Sequence, residues 1–410
     1  MTQPHHEEIE MTAVQNSTGA DEVRHIEFEA APARFARGWH CIGLEKEFRD
    51  GRPHSIQAFG TKLVVWADSQ GDIKVLDAYC RHMGGDLSQG SIKGDEVACP
   101  FHDWRWGGDG RCKQIPYSRR VPLRARTRTW HAMTQDGLVF VWHDHEGKAP
   151  IPEQAIPLID GGPSDPTWTD WAWASTIVNT NCREIIDNVV DMAHFFYVHH
   201  AFPTYFKNTF EGHTATQLQK GVNRDDMRPA EVAIGAPKRL GNTSVATYHG
   251  PSFMIDDLIY HYEHGDTRTV LINCHYPIDE NSFMLLYGIS MQRPEVEDDD
   301  PAAAEALAAK MVATVRLGFE QDVEIWKNKT RIDNPLLCEE DGPVYQLRRW
   351  YEQFYVDADQ VTPEMTERFE FELDTTKPVE AWKREVEENL ARRAEAAAES
   401  AAAVPQPQDA

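Results

Sequence analysis

Cysteine is scarce in this chain, basic residues are outnumbered, and long apolar runs are missing. Seven cysteines among 410 residues are too few and too scattered for the disulfide framework of a secreted domain. In a reducing compartment the clustered ones read as metal ligands. Cys41, Cys112, Cys182, Cys274 and Cys338 have no such company and read as buried thiols. No apolar run approaches the roughly 20 residues that cross a bilayer, which excludes a helical membrane span. The opening MTQPHHEEIEMTAVQNSTGADEV is acidic and polar with no apolar core, so no export signal is read and a cytoplasmic location is expected. The chain has 41 Lys and Arg against 66 Asp and Glu, a net charge of -25. A surface of that sign repels nucleic acid and anionic membrane and suits a basic protein partner. No glycine-rich dinucleotide fingerprint follows a strand, and there is no internal repeat.

What is there divides in two. At 410 residues and 41% hydrophobic, the chain exceeds the roughly 250 to 300 residues of a single core, so two domains are expected. Residues 1–25 and 399–410 have the composition of tails. Residues 26–150 carry short β-forming runs, KLVVWAD, DIKVLDAYC and GLVFVWHD, bounded by SQGD, KGDE and GGDG, and predict an all-β domain. Residues 151–170 overlap APIPEQAIPLIDGGPSDPTW, whose five prolines mark a linker. Residues 171–398 mix strands, SVATYHG, TRTVLINCHYP and SFMLLYGISM, with helices. NVVDMAHFFYV is too long and too periodic for a strand and predicts a helix. DDDPAAAEALAAKMVATVRLGFEQDVEIWKN predicts a long one, with acids ahead of Pro301 and lysine at its C-terminal end. PVEAWKREVEENLARRAEAAAES predicts a last helix that is mostly a solvated face. The fold class is therefore α+β, an N-terminal all-β domain followed by a domain of antiparallel sheet flanked by helices.

CRHMGGDLSQGSIKGDEVACPFHDWRW holds the first candidate metal site. Cys80-x-His82 and Cys99-x-x-His102 offer two thiolates and two imidazoles, a set that suits tetrahedral zinc or a 2Fe-2S cluster of the Rieske kind. Three features favour the cluster. The single residue between Cys80 and His82 is a tighter gap than paired zinc ligands usually have. Gly84, Gly85 and Pro100 stand where backbone must fold closely over a cluster. Both pairs follow strands, as two facing loops would. The stretch resembles the Rieske domain of bacterial Rieske non-haem iron oxygenases, including Trp104 two places past the second histidine. It departs from many relatives at Met83 and Asp103, where arginine and glycine are common, and neither position is a ligand.

A carrier of single electrons needs only that first domain, and residues 171–398 require another task. NVVDMAHFFYVHH puts Asn188, Asp191 and His194 at i, i+3 and i+6, neighbours on one helix face. His199 follows His194 by five positions, and residues five apart on a continuous helix diverge. The two can share a metal only if the helix ends or bulges near Phe196 to Val198. His200 competes for the second position. With a carboxylate, two histidines would form the facial triad of a non-haem Fe(II) oxygenase, which leaves positions open for dioxygen. Asn273, inside the apolar run TVLINCHYP, is an amide that must find a partner, either backbone or a group beside the iron.

Over longer stretches the resemblance narrows to one family. CRHMGGDLSQGSIKGDEVACPFHDWRWGGDGRC, NCREIIDNVVDMAHFFYVHHAFPTYFKNTFEGH, GPSFMI, LINCHYP and DVEIWKNKTRIDNPLLCEEDGPVYQLRRWYEQFYVD are similar to the oxygenase components of bacterial 3-ketosteroid 9α-hydroxylases, over residues 30–395. The resemblance implies a Rieske 2Fe-2S cluster on Cys80, His82, Cys99 and His102. It also implies a mononuclear non-haem Fe(II) on His194, His199 and Asp322, the family's spacing selecting His199 over His200 and QDVEIWK selecting Asp322 over Glu324. The catalytic domain would be helix-grip-like, and Asp191 would join His102 of a neighbouring subunit to His194 within a head-to-tail homotrimer. The substrate implied is a 3-ketosteroid of the 4-androstene-3,17-dione or 1,4-androstadiene-3,17-dione type, hydroxylated at C9 in steroid and cholesterol ring degradation. O2 would be the co-substrate, and NADH electrons would come through a separate FAD and iron-sulfur reductase. FFYV, AFPTYF, SFMIDDLIY and FMLLYGISM could line an apolar pocket, or be core. Two other readings stay open: a Rieske oxygenase that hydroxylates or demethylates a different apolar substrate, and a zinc-stabilised or electron-carrying protein without a catalytic iron.

Overall fold

Ten short strands come first: β1 (Gly38–Leu44), β2 (His54–Ala58), β3 (Thr61–Ala67), β4 (Ile73–Asp77), β5 (Ser91–Lys93), β6 (Glu96–Ala98), β7 (Arg105–Trp106), β8 (Cys112–Gln114), β9 (Ala132–Gln135) and β10 (Leu138–His143). The computed structural model from which they are read describes residues 25–28, 30, 32–226, 234–263, 265–296 and 300–402. The strands pair antiparallel in three sheets, β1-β10-β9, β2-β3-β4 and β5-β6-β7-β8. Turn chemistry sets the hairpins. Asp136 and Gly137 both have positive φ, 51° and 74°, which is the twist a two-residue turn needs between β9 and β10.

The second half contributes β11 (Ala172–Val178), β12 (Ala201–Glu211), β13 (Thr214–Asn223), β14 (Gly241–His249), β15 (Phe253–Tyr262), β16 (Gly265–Asp279), β17 (Ser282–Met291) and β18 (Phe369–Leu373). They form one eight-stranded antiparallel sheet in the order β11-β17-β16-β15-β14-β13-β12-β18. The long helix Pro301–Asn328 starts as its sequence predicts, with Pro301 in the first turn and Asp300 Oδ1 accepting from Ala302 N at 2.9 Å. Its Met311, Val315 and Phe319 share a core with Tyr287 and Ile289 of β17.

β16 holds the two halves together. From Thr269 to Pro277 every residue is buried, and the alternation of strand side chains sends them to two different cores. Leu271 faces the core that contains the long helix, whereas Val270, Ile272 and Cys274 join a core that includes Trp39, Val139 and Phe140 from the first half. The β2–β3 hairpin adds backbone bonds: Phe59 N donates to Pro277 O at 2.8 Å and Gly60 N to Ile278 O at 2.9 Å.

Some sequence expectations need correction. The segment 151–170 is no free linker, because Ile156, Ile159 and Trp168 are buried in that shared core. NVVDMAHFFYV does not form one helix: a 3-10 turn, Ile186–Val190, is followed by extended Asp191 (φ -87°, ψ 110°) and a short helix, Ala193–Tyr197. The β-branched pair Val189-Val190 is a poor helix continuation, and Asp191 Oδ1 instead accepts from His194 N at 3.2 Å to start the next segment. The face shared by Asn188, Asp191 and His194 therefore does not exist. The last helix, Thr376–Ala402, continues past residue 399, where a tail was expected, and residues 403–410 lie outside the described residues. Of the expected 1–25 tail only His25 is described, and its carbonyl accepts from Asn334 Nδ2 at 3.0 Å. Cys338 is exposed, not buried, in a turn where its amide donates to Asp341 Oδ2 at 2.7 Å.

Phe140 meets Phe253 edge-on across the shared core, ring centres 4.9 Å apart. Phe140→Ala should cost about 3–5 kcal/mol, and both halves should unfold earlier together in calorimetry. A separate, unshifted transition for either half would contradict the shared core.

Candidate metal centres and substrate cavity

The two cysteine-histidine loops repeat one hydrogen-bond pattern. Gly84 N returns to Cys80 O and Asp103 N to Cys99 O, both at 2.9 Å, while Cys80 N donates to Gly85 O at 2.8 Å and Cys99 N to Trp104 O at 2.9 Å. Each loop passes through a left-handed residue, Gly84 at φ 76° and Asp103 at φ 54°. Aspartate tolerates that conformation better than most side chains, which lets Asp103 stand at a position that suits glycine. Its carboxylate also accepts from Arg105 at 3.0 Å. Gly85 has no such freedom to change, since a Cβ there would lie 2.7 Å from Cys99 Sγ.

Inside the loops, Cys80 and Cys99 are buried in one small core with Leu87, Val97 and Trp106. Trp106 Nε1 donates to Cys80 Sγ at 3.3 Å. The His82 and His102 rings stand 4.8 Å apart, and His82 stacks on Trp104 at 4.5 Å. Both Nδ1 atoms are buried without a partner. Burial raises the Cys80 thiol's pKa, and the neighbouring Cys99 adds to it, so two thiolates here need a cation. A single zinc would draw all four ligand atoms into one tetrahedron. Among the described residues, however, the sets of three or more ligand atoms within 4.8 Å of one another are His194/His199/Asp322 and His145/Glu146/Asp357. The wider spread of the four loop ligands, with orphaned imidazole nitrogens opposite buried thiols, fits a binuclear iron cluster.

The set of His194, His199 and Asp322 is assembled from three elements. The short helix ends where the sequence required: His194 O accepts both Val198 N at 2.7 Å and His199 N at 3.4 Å, a widening of the last turn. His200 then adopts φ 57° and turns the chain into β12. This swings His199 back toward His194, ring centres 5.1 Å apart. Asp322, 7% exposed on the long helix, brings Oδ2 to 3.2 Å from His199 Nε2. The rivals turn elsewhere. Glu324 is 68% exposed and paired with Lys327 at 2.8 Å, and His200 does not join the ligand set. His194 Nδ1 lies 2.7 Å from the Asp191 backbone carbonyl. A carbonyl can only accept, so Nδ1 carries the proton and Nε2 is left free for a metal. Burial would lower the pKa of His194, but Asp191 and Asp322 outweigh it and raise it. The site's field thus favours a cation, and three ligands with open positions fit a ferrous facial triad.

The Asp191 carboxylate stays 3.8 Å from His194 Nδ1 and is 48% exposed. Among the described residues, no hydrogen bond or ring contact within one chain links His82 or His102 to Asp191 or to the triad. The second acidic set, His145/Glu146/Asp357, is cross-linked by Arg34, whose Nη1 lies 2.7 Å from both His145 Nε2 and Asp357 Oδ1. A guanidinium occupies the place of a metal there.

Beside the triad opens a cavity of about 210 Å³ with an apolar wall that includes Val189, Phe195, Met254, Leu258, Leu271 and Phe319. Strand alternation explains the wall: Met254, Asp256, Leu258 and Tyr260 all face it from β15. Of SFMIDDLIY these alternate residues line the cavity while Phe253 and Ile255 are core, of FFYV Phe195 lines it while Phe196 is core, AFPTYF contributes Ala201, and FMLLYGISM, as β17, packs in the two cores. Asn273 also lines it, 2% exposed, with Nδ2 3.5 Å from the Tyr248 hydroxyl and Oδ1 unpartnered. It belongs to the cavity wall rather than to the ligand set. Gln217, Tyr248 and Trp326 also line the cavity and were missed in the sequence. For Gln217 and Tyr248 the period-two pattern of β13 and β14 carried the signal, but which face was inward required the sheet.

Residues 38–127 match the Rieske (2Fe-2S) domain, and residues 141–355 match the 3-Ketosteroid 9alpha-hydroxylase C-terminal domain. The chain is 64% identical over 373 residues to a 3-ketosteroid-9-alpha-monooxygenase oxygenase component of Rhodococcus rhodochrous, spanning 91% of this chain and 93% of that protein. It is 56% identical over 372 residues to the protein of the same name from Mycobacterium tuberculosis (strain ATCC 25618 / H37Rv), spanning 90% and 95%. In fold it is similar to dicamba monooxygenase with non-heme iron and dicamba, at a TM-score of 0.57 and 19% identity over 79% of this chain and 98% of that one.

His199→Ala should lose about one of roughly three irons per chain while the visible spectrum of the cluster persists; loss of both together would contradict two separate centres. Gly85→Ala should cost about 1–3 kcal/mol by overpacking against Cys99, seen as reduced colour per protein with mononuclear iron retained.

Proposed function

The chain belongs to the family of 3-ketosteroid-9-alpha-monooxygenase oxygenase components, and from this premise we propose that it is the terminal oxygenase of a multicomponent monooxygenase that hydroxylates 3-ketosteroids at C9. The observation that carries this reading is the convergence of His194, His199 and Asp322 at the wall of a largely apolar cavity. Residues 26–150 serve as the Rieske domain and 171–398 as the catalytic domain, with 151–170 packed between them. When bound, a 2Fe-2S cluster and a ferrous ion would supply electron transfer and dioxygen activation, one oxygen atom entering the C–H bond and the other leaving as water.

The chain's own residues do the rest. Cys80, Cys99, His82 and His102 would hold the cluster, and Trp104 and Tyr117 brace it, since His82 stacks on Trp104 and Trp104 Nε1 donates to Tyr117 Oη at 2.7 Å. The Asp191 carbonyl fixes the tautomer and orientation of His194. Val189, Phe195 and Phe319 exclude water from beside the triad, so that a flat apolar ring system can replace it. With no contact between the two centres inside one chain among the described residues and with the Asp191 carboxylate exposed, a neighbouring copy is the natural donor. We take the assembly to be a head-to-tail homotrimer in which Asp191 links His194 to the next subunit's His102. Electrons from NADH would enter through a separate flavin and iron-sulfur reductase. Among the described residues no helix is long and apolar enough to cross a membrane, and a cytoplasmic setting suits the free thiols.

With reductase, NADH, O2 and 4-androstene-3,17-dione, the expected product is the 9α-hydroxysteroid, identified by mass spectrometry and NMR; an untouched steroid would refute the substrate assignment. Asp191→Ala should keep both metals and lose at least about 10- to 100-fold in turnover, and a fully active variant would end its bridging role.

A further inference from the structure

Among the described residues, one carboxyl group in the cavity is left without an ionic partner. Asp256, 8% exposed, projects into the cavity from β15, between Met254 and Leu258. Among the described residues its hydrogen-bond partner is Ser244 of β14, itself 3% exposed, whose Oγ donates to Oδ1 at 2.7 Å. Among the described residues, no group is seen to take up Oδ2. The arginines that line the same cavity are engaged elsewhere, and burial lowers the pKa of His200, with Arg224 and His199 adding to it, so that its neutral form is favoured. Arg224 forks onto Asp226 at 2.9 and 2.7 Å, and Arg239 lies over the Tyr260 ring at 4.8 Å. His194, His199 and Asp322 face one another, and Asp257 points from the opposite face of β15, where Arg268 and Asp160 act on it.

Other polar groups of the wall are already committed. Gln217 Nε2 donates to the Asn188 and Val189 carbonyls at 3.3 and 3.1 Å, and Asn242 Nδ2 to Gln219 at 3.0 Å. Asn273 and Tyr248 face each other at 3.5 Å, and exchanging the amide's O and N would let the phenol donate to Asn273. A carboxylate with one hydrogen bond and no cation is the costly state in such a wall, and a carboxylic acid is the cheaper one. Burial pushes the Asp256 pKa up to about 7, against the bond from Ser244 and with help from Asp257.

We propose that Asp256, as a carboxylic acid, donates a hydrogen bond from Oδ2 to a ketone oxygen of the steroid and so fixes which ring carbon is presented to the triad. This rests on the ketosteroid reading above and assigns a residue to substrate orientation. Oδ1 is held by Ser244, so the acid proton is directed to Oδ2, and a ketone can only accept. The pH sign follows. The donor is present below the carboxyl's pKa and is lost as pH rises through it, so affinity for a ketosteroid falls toward tenfold per pH unit on the alkaline side.

The test is calorimetric binding to the iron-loaded protein from about pH 6 to 9. The ligands are 4-androstene-3,17-dione, androst-4-en-17-one, which lacks the C3 ketone, and androst-4-en-3-one, which lacks the C17 ketone. In the wild type, one deoxo steroid should bind about 10-fold more weakly than the parent at the acidic end. Asp256→Asn keeps a donor, so it should bind the parent within about 3-fold of wild type and be flat with pH. Asp256→Leu should bind the parent and that deoxo steroid alike. Unchanged pH dependence in Asp256→Asn, or undiminished preference for the ketone in Asp256→Leu, overturns the assignment. A wild type that binds none of the three steroids overturns the substrate reading and this proposal with it, whereas wild-type binding with ketone-blind variants sustains both.

Discussion

From Thr269 to Pro277 β16 has no solvent face, and the relation of the two halves depends on how its side chains divide. Val270, Ile272 and Cys274 are buried against the strands of the first half, while Leu271 and Asn273 form part of the cavity wall on the other side. Side-chain period two makes this division obligatory, because a slip of one residue would put the cavity wall into the domain interface. Phe253 and Ile255 of β15 are buried in the same interface, with Asp256 and Leu258 on the cavity side. The cavity is thus backed by a second hydrophobic core rather than by solvent. A packed backing resists deformation, as a wall that orients a rigid substrate must.

The candidate metal ligands on the catalytic side follow from a local failure of helix. At Asp191 the chain gives up helical geometry, and the bonds lost are recovered from side chains: Asn208 Nδ2 and Gln217 Nε2 donate to Val189 O at 2.7 and 3.1 Å, and Trp326 Nε1 to Asn188 Oδ1 at 3.2 Å. These donors come from β12, β13 and the long helix. The helix that supplies Asp322 therefore also pins the loop that precedes His194, and the ligands are fixed relative to one another by one network. The cluster loops reach rigidity by another route, with paired backbone turns closed around buried sulfur and glycine or aspartate in the left-handed positions.

Polar groups in an otherwise apolar cavity must be satisfied by the protein, by water or by substrate. Gln217 and Asn242 donate to protein carbonyl groups, and the triad residues form a set that could hold a metal. Asp256 differs because its one partner is a neutral hydroxyl, which leaves protonation as the cheapest way to bury it. The cavity then presents a neutral wall with directional donors, suited to a neutral polycyclic ketone rather than to an ion.

Much of this was legible in the chain itself. Ligand chemistry is local, so Cys-x-His and Cys-x-x-His could be read with their loops, and the x4 spacing of His194 and His199 already demanded a helix end where one is found. The long helix announced itself by Asp300-Pro301 and its alanine-rich turns. Strands buried on both faces also declared themselves, as apolar runs such as TVLINCHYP. What the sequence misread was non-local. The proline-rich segment 151–170 looked like a linker because proline and glycine signal irregular backbone, yet irregular backbone can still bury Ile156, Ile159 and Trp168. The helix over Asp191 looked continuous because periodicity cannot count the side-chain donors waiting on other elements. Sequence alone thus determined which residue types could hold metal and where the long helix begins. Only the tertiary structure decided which strand face became cavity, since burial depends on what packs behind a strand and no single segment contains that information.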